Sequence, residues 1–131
     1  MVGLDTNVLV RIIVGDDEGQ KQKALKFIKQ TTDCGKKLIV NSAVVCEIVW
    51  VLETSYEYNK NEIISALNHL LQMELSIIDE PAVRLALNLY SVNSLDFADA
   101  LIAFINKTHG AEFTATFDKK AAKTSNYKII N

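Results

Sequence analysis

The stretch Lys37–Thr54, KLIVNSAVVCEIVWVLET, decides the fold. Its first part, KLIVN, is a short aliphatic and β-branched run that reads as a buried strand. Its second part, SAVVCEIVWVLET, is long enough for several helical turns, with Ser42 available as N-cap. A strand that runs straight into a helix is the repeating unit of α/β architecture. In the middle of the helix stands a single acid, Glu47, flanked by Val44, Val45, Cys46, Ile48, Val49, Trp50, Val51 and Leu52. Charged side chains are rarely buried without a partner. Nearby apolar segments offer no lysine or arginine, so the spacing predicts a buried carboxylate that takes its counter-charge from outside the chain.

The same alternation extends in both directions. MVGLD is a strand ending at Asp5, and NVLVRIIV is a helix or tight turn leading to Gly15. DDEGQKQKALKFIKQTT is a helix capped by Asp16 or Asp17, with Ala24, Phe27 and Ile28 inward and its lysines on a solvated face. NKNEIISALNHLLQM turns Ile63, Leu67, Leu70 and Leu71 inward, and LSII is a third strand. EPAVRLALNLYSV carries Pro81 in its first turn, where proline is tolerated. DFADALIAFINKTHG is apolar nearly all round, which predicts a central, buried helix stopped at Gly110. EFTATF is a fourth strand, DKKAAKT a short helix and YKIIN a fifth strand. Together these predict one domain over 1–131, an α/β/α sandwich around a five-stranded, mostly parallel sheet.

Composition narrows the function. The chain has 131 residues, 49% of them apolar, and a net charge of −2. No overall field draws in a polyanion, so any attraction for one is local. Cys34 and Cys46 have no zinc or disulfide spacing, and Cys46 reads as a packed core thiol. No signal peptide is read at the start, and no apolar run approaches the ~20 residues of a membrane span. The expectation is a soluble, cytoplasmic protein.

In a parallel α/β fold, strand C-termini and helix N-termini share one edge, where ligands bind. Asp5 follows the first strand, Glu47 lies early in the helix after the second, Asp99 opens the apolar helix and Asp118 follows the fourth strand. Each has a structural alternative. Asp5 and Asp118 read equally as helix caps. Asp96 and Asp99 are spaced like a capping box. Four acids expected at one edge repel one another, and a hard divalent cation removes that repulsion. Oxygen-only donors favour magnesium or manganese over zinc. His69 and His109 are read as structural.

The motifs VGLDTNVLVRIIVGDD, the lone Glu47, LDFADALIAF and TATFDKKAA resemble, as a set and in order, the PIN-domain ribonucleases, in particular VapC-type toxins. That resemblance implies magnesium- or manganese-dependent cleavage of RNA by an acidic core of Asp5, Glu47, Asp99 and Asp118. It implies supporting roles for Asn7, Thr116 and Asp96, a cognate antitoxin as protein partner, and a homodimer. Arg11, Lys119, Lys120 and Lys123 stand near the acids and are candidates for phosphate contacts, or else a solvated face. Three other readings compete. A haloacid-dehalogenase-like phosphatase needs an aspartate where Asn7 stands. A receiver-type phosphoacceptor needs paired acids directly after the first strand. A non-catalytic binding module would keep the acids without using them.

Overall fold

The computed structural model describes residues Met1–Asn131 and divides into two units, Met1–Ile78 and Asp79–Asn131. The first unit runs β1 (Val2–Gly3), α1 (Thr6–Val14), α2 (Glu18–Asp33), β2 (Leu38–Val40), α3 (Ser42–Thr54), α4 (Lys60–Gln72) and β3 (Ser76–Ile77). The strands lie in the order β1-β2-β3, all parallel, with Val2 opposite Leu38 and Val40 opposite Ile77. Parallel neighbours cannot be joined by a tight turn, and here two helices bridge each pair. α1 packs against α2 and α3, and α3 against α4. Leu9, Leu38, Val40, Val45, Ile48 and Leu52 are buried among them.

Local chemistry sets the helix ends. Asp17 caps α2 by accepting a hydrogen bond from the Gln20 N–H at 3.0 Å. Gly15 ends α1 at φ +69°, a conformation that other residues rarely adopt. Asn59 and Glu62 form a reciprocal capping box at the start of α4. The cap of α3 is Asn41 rather than the expected Ser42. Asn41 keeps an extended backbone and accepts from the Val44 N–H at 3.0 Å, so Ser42 is already the first helical residue. Phe27 also departs from expectation, being 47% exposed. α2 meets the unit through Ala24, Ile28 and Thr31, and Phe27 sits at the margin of that face.

The second unit runs α5 (Glu80–Val92), α6 (Phe97–Thr108), β4 (Thr114–Thr116), a 3-10 turn (Ala121–Lys123) and β5 (Tyr127–Ile129). β4 and β5 are parallel, with Thr114 opposite Tyr127 and Thr116 opposite Ile129. α5 and α6 pack on each other, and the Tyr90 and Phe97 rings meet edge to face at 5.9 Å. α6 is not buried all round as its composition predicts. Phe97, Ala100, Leu101 and Ala103 face inward, while Ala98 and Ile102 are exposed. An apolar helix reveals that it has a face to bury, not how much cover it receives.

Every strand pair is parallel, as expected, but the strands form a three-stranded and a two-stranded ladder, not one five-stranded sheet. Strands of two or three residues make too few register pairs for their sequence pattern to specify neighbours. No helix is long and apolar enough to cross a membrane.

Phe97 anchors the second unit at 1% exposure. Phe97→Ala is expected to cost about 3–5 kcal/mol of unfolding free energy in urea denaturation. A loss below ~1 kcal/mol would show that the ring is not an anchor.

Candidate active-site acids

In the first unit, Asp5 stands two residues after β1 and caps α1, its Oδ1 accepting from the Thr6 N–H at 2.7 Å. Glu47 projects from α3. Both help to line a cleft of about 240 Å³ together with Thr6, Asn7, Arg11 and Tyr56. The capping reading of Asp5 is therefore realised, yet one carboxylate offers about four acceptor sites and the cap uses one. The expected burial of Glu47 is not. Ala43, Glu47, Trp50 and Thr54 form the exposed stripe of α3, while Val45, Ile48, Val49 and Leu52 take the inner face. The apolar residues beside Glu47 in sequence point elsewhere, so the side chain meets the cleft and solvent without a desolvation penalty. Cys46 is half-buried, and burial pushes its thiol pKa up.

Arg11 is held by a network that its sequence neighbours do not disclose. Its Nε donates to Gln20 Oε1, and its Nη1 donates to Tyr56 Oη at 3.1 Å and to Asp16 Oδ1 at 3.4 Å. The Tyr56 hydroxyl in turn donates to Asp16 Oδ2 at 3.0 Å. The Tyr56 contact, ahead of the nearby carboxylates, holds the Arg11 guanidinium above its usual pKa. The cation thus stands fixed at the wall of the cleft.

In the second unit, Asp96 occupies the N-cap position of α6 without a side-chain cap bond, so the capping box suggested by its spacing with Asp99 does not form. Asp99 lies in the first turn, where helix dipoles favour a negative charge. Its pKa is nevertheless raised, first by burial and then by the charges of Asp96 and Asp118, with Lys120 pulling it back. Asp118 follows β4 and is fixed from both sides. Its N–H donates to Thr116 Oγ1 at 2.9 Å, and its Oδ1 accepts from the Lys120 N–H at 2.8 Å and the Ala121 N–H at 3.3 Å. Lys119, Lys120 and Lys123 are exposed.

Three residues join these acids that the sequence did not single out. Tyr127 of β5 donates from its hydroxyl to the Asp99 carbonyl oxygen at 2.6 Å. Burial, then Asp99 and Asp118, push its phenol up to about 12, so it stays a donor. Tyr56 fixes Arg11 from 45 positions away in sequence. Thr6 Oγ1 is buried without a hydrogen-bond partner and lines the cleft of Asp5 and Glu47. No local signal marks the first two, because their contacts are long-range. The third lies inside the LDTN motif.

Within neither unit do three His, Cys, Asp or Glu side chains gather into a metal cage. Magnesium does not require one, since it is held by one or two carboxylates and keeps several waters. The donors present are all oxygens. The residues fit a hard divalent cation. A larger cleft of about 650 Å³, lined by residues such as Ile12, Ile13, Leu70 and Met73, has Glu62 as its one acid and lacks converging carboxylates.

A protein-family model described as PIN domain matches residues 2–127. The chain is also 29% identical over 129 residues to a protein named VapC ribonuclease from Aquifex aeolicus (strain VF5), covering 98% of this chain and 94% of that protein. No solved structure matches.

The raised pKa of Asp99 gives a signed expectation. Its ionised form is less favourable in the folded chain than in the unfolded one, so above the folded pKa the charge costs stability. The cost is relieved as pH falls through that raised value toward the ordinary carboxylate range. In metal-free protein, Asp99→Asn should therefore melt at or above wild type at pH 7, by ~1–3 °C. The gap should close on acidification, as followed by melting curves across pH. A large drop in melting temperature at pH 7 would mean that the carboxylate holds the helix together.

Proposed function

Because the chain belongs to the PIN domain family, we propose that it is a metal-dependent endoribonuclease, the toxin of a toxin–antitoxin pair. The observation that carries this reading is the family match from residue 2 to residue 127, with a ribonuclease as a full-length relative. The site chemistry supports it, since carboxylates follow β1 and β4 and open α6, and none of them is neutralised by a buried cation. Both units act in this reading as one domain over 1–131, working in the cytoplasm, with a cognate antitoxin as protein partner. We also assign a homodimer, for which exposed Leu85 and Val92 on α5 offer apolar surface.

The proposed catalytic residues are Asp5, Glu47, Asp99 and Asp118, which would hold magnesium or manganese. When bound, such an ion supplies Lewis-acid activation of a phosphoryl oxygen and of water. The chain's residues do the rest. Asp5 is oriented by its bond to the Thr6 N–H, which leaves its other oxygen free to act as a ligand. The Asn7 amide lines the same cleft and can orient a water or a phosphate. Thr116 Oγ1 accepts from the Asp118 backbone N–H, and the Lys120 and Ala121 N–H groups keep the Asp118 carboxylate from rotating. Asp96, with no cap bond to satisfy, adds the negative charge that makes Asp99 demand a cation. Arg11, Lys119 and Lys120 supply positive charge for the phosphates of RNA.

Incubation of the purified protein with a total RNA pool should give discrete cuts with magnesium and none in EDTA. Asp5→Asn should lower cleavage by on the order of 100-fold or more while its circular dichroism matches wild type. Equal cutting without metal, or full activity in both Asp5→Asn and Asp99→Asn, would overturn metal-dependent catalysis by the acids, and no cutting under any condition would leave the domain as a binding module.

A further inference from the structure

A second cleft of about 430 Å³ runs between α1 and α2 and shares Asn7 and Arg11 with the cleft of Asp5 and Glu47. Its outer wall carries Lys23 and Phe27, one helical turn apart on α2. Phe27 is 47% exposed, so about half of the side chain is open to solvent. Lys23 is exposed and makes no ion pair, unlike Lys29, which is bound to Asp33 at 2.8 Å. Asp16, the acid beside Arg11, is engaged by Arg11 and Tyr56. The cleft therefore offers a half-exposed aromatic ring and an unpaired ammonium, and through Asn7 and Arg11 it adjoins the cleft of the carboxylates.

We infer that this α1–α2 cleft holds an unpaired nucleotide of the RNA next to the scissile phosphate, with its base stacked on Phe27 and a phosphate at Lys23. The inference rests on the ribonuclease reading and adds to it two substrate-binding residues outside the acids, Phe27 and Lys23. A flat ring accepts any base face, while an ammonium accepts a phosphate. The carboxylates of the adjoining cleft cannot attract the strand themselves, and a chain with a net charge of −2 has no general field to do so. A base paired in a duplex has no free face to stack, so the arrangement selects loops and open strands. Lys23 and Phe27 act on binding and lie outside the acid set.

The test measures cleavage of an unstructured RNA oligonucleotide with magnesium, and binding of the same labelled strand by fluorescence anisotropy in EDTA. Phe27→Ala should raise KM and Kd roughly tenfold and leave kcat within about threefold. Phe27→Tyr or Phe27→Trp should restore both constants, whereas Phe27→Leu, which keeps apolar bulk without a ring, should not. Lys23→Gln should weaken binding and lower the slope of log Kd against log salt by about one. If wild type cleaves RNA but Phe27→Ala keeps its KM and Kd, or Phe27→Leu rescues it, the nucleotide cleft is refuted and the ribonuclease reading stands. If wild type binds the strand through Phe27 yet cuts no RNA, the cleft stands and the ribonuclease reading falls. A wild-type protein that neither binds nor cuts RNA refutes both.

Discussion

Parallel pairing between strands of two or three residues is the constraint on which the molecule rests. β1, β2 and β3 exchange so few hydrogen bonds that their ladder alone could not persist in water. What holds them is the helical crossover that parallel pairing demands, with α1, α3 and α4 burying Leu9, Val45, Ile48 and Leu67 over the sheet. The same requirement delivers the chemistry. A crossover begins where a strand ends, so within two residues of β1 the chain reaches a helix cap, whose side chain lies where backbone N–H groups converge. Asp5 occupies that position in the first unit, and Asp118 occupies its counterpart after β4 in the second. Architecture and acid placement are one fact seen twice.

Electrostatics then separates the acids by role. Asp5 and Asp118 each spend acceptor sites on backbone donors, which fixes their direction. Asp99 receives no such compensation and feels Asp96 and Asp118 instead. A carboxylate held under repulsion gains most from a cation, because metal binding relieves a strain already present. Glu47 extends into the cleft from the exposed stripe of α3. Arg11 is immobilised by Gln20, Tyr56 and Asp16, so its charge is presented without the entropy cost of ordering a long side chain.

Much of this was legible from residue order, for reasons that can be named. KLIV, TAT and YKI are short β-rich runs between polar breaks, and each became a strand. Asp17 was identifiable as a cap because an acid precedes a helical pattern. Other features depend on contacts between distant residues. Phe27 fits the apolar period of α2, yet cover on that side is absent. Glu47 was read as buried because its sequence neighbours are apolar, but a helix turns those neighbours away within one step. Ser42 and Asn41 are both good caps, and only the backbone angle at the end of β2 chooses between them. The division into two ladders, and the Tyr56–Arg11 and Tyr127–Asp99 bonds, join parts of the chain that no local pattern connects. The family likeness was readable because its motifs keep their order across the whole chain.

The bond from Tyr127 to the Asp99 carbonyl spans 28 positions. It ties the opening turn of α6 to a strand made much later in synthesis. A nascent polypeptide that has left the ribosome only as far as α6 already displays Asp96 and Asp99, but nothing yet braces the turn that bears Asp99. The brace arrives with β5, so the acid cluster of this unit is finished only after β5 has been made. A protein whose activity endangers the RNA around it would gain from that delay, since half-made copies stay harmless.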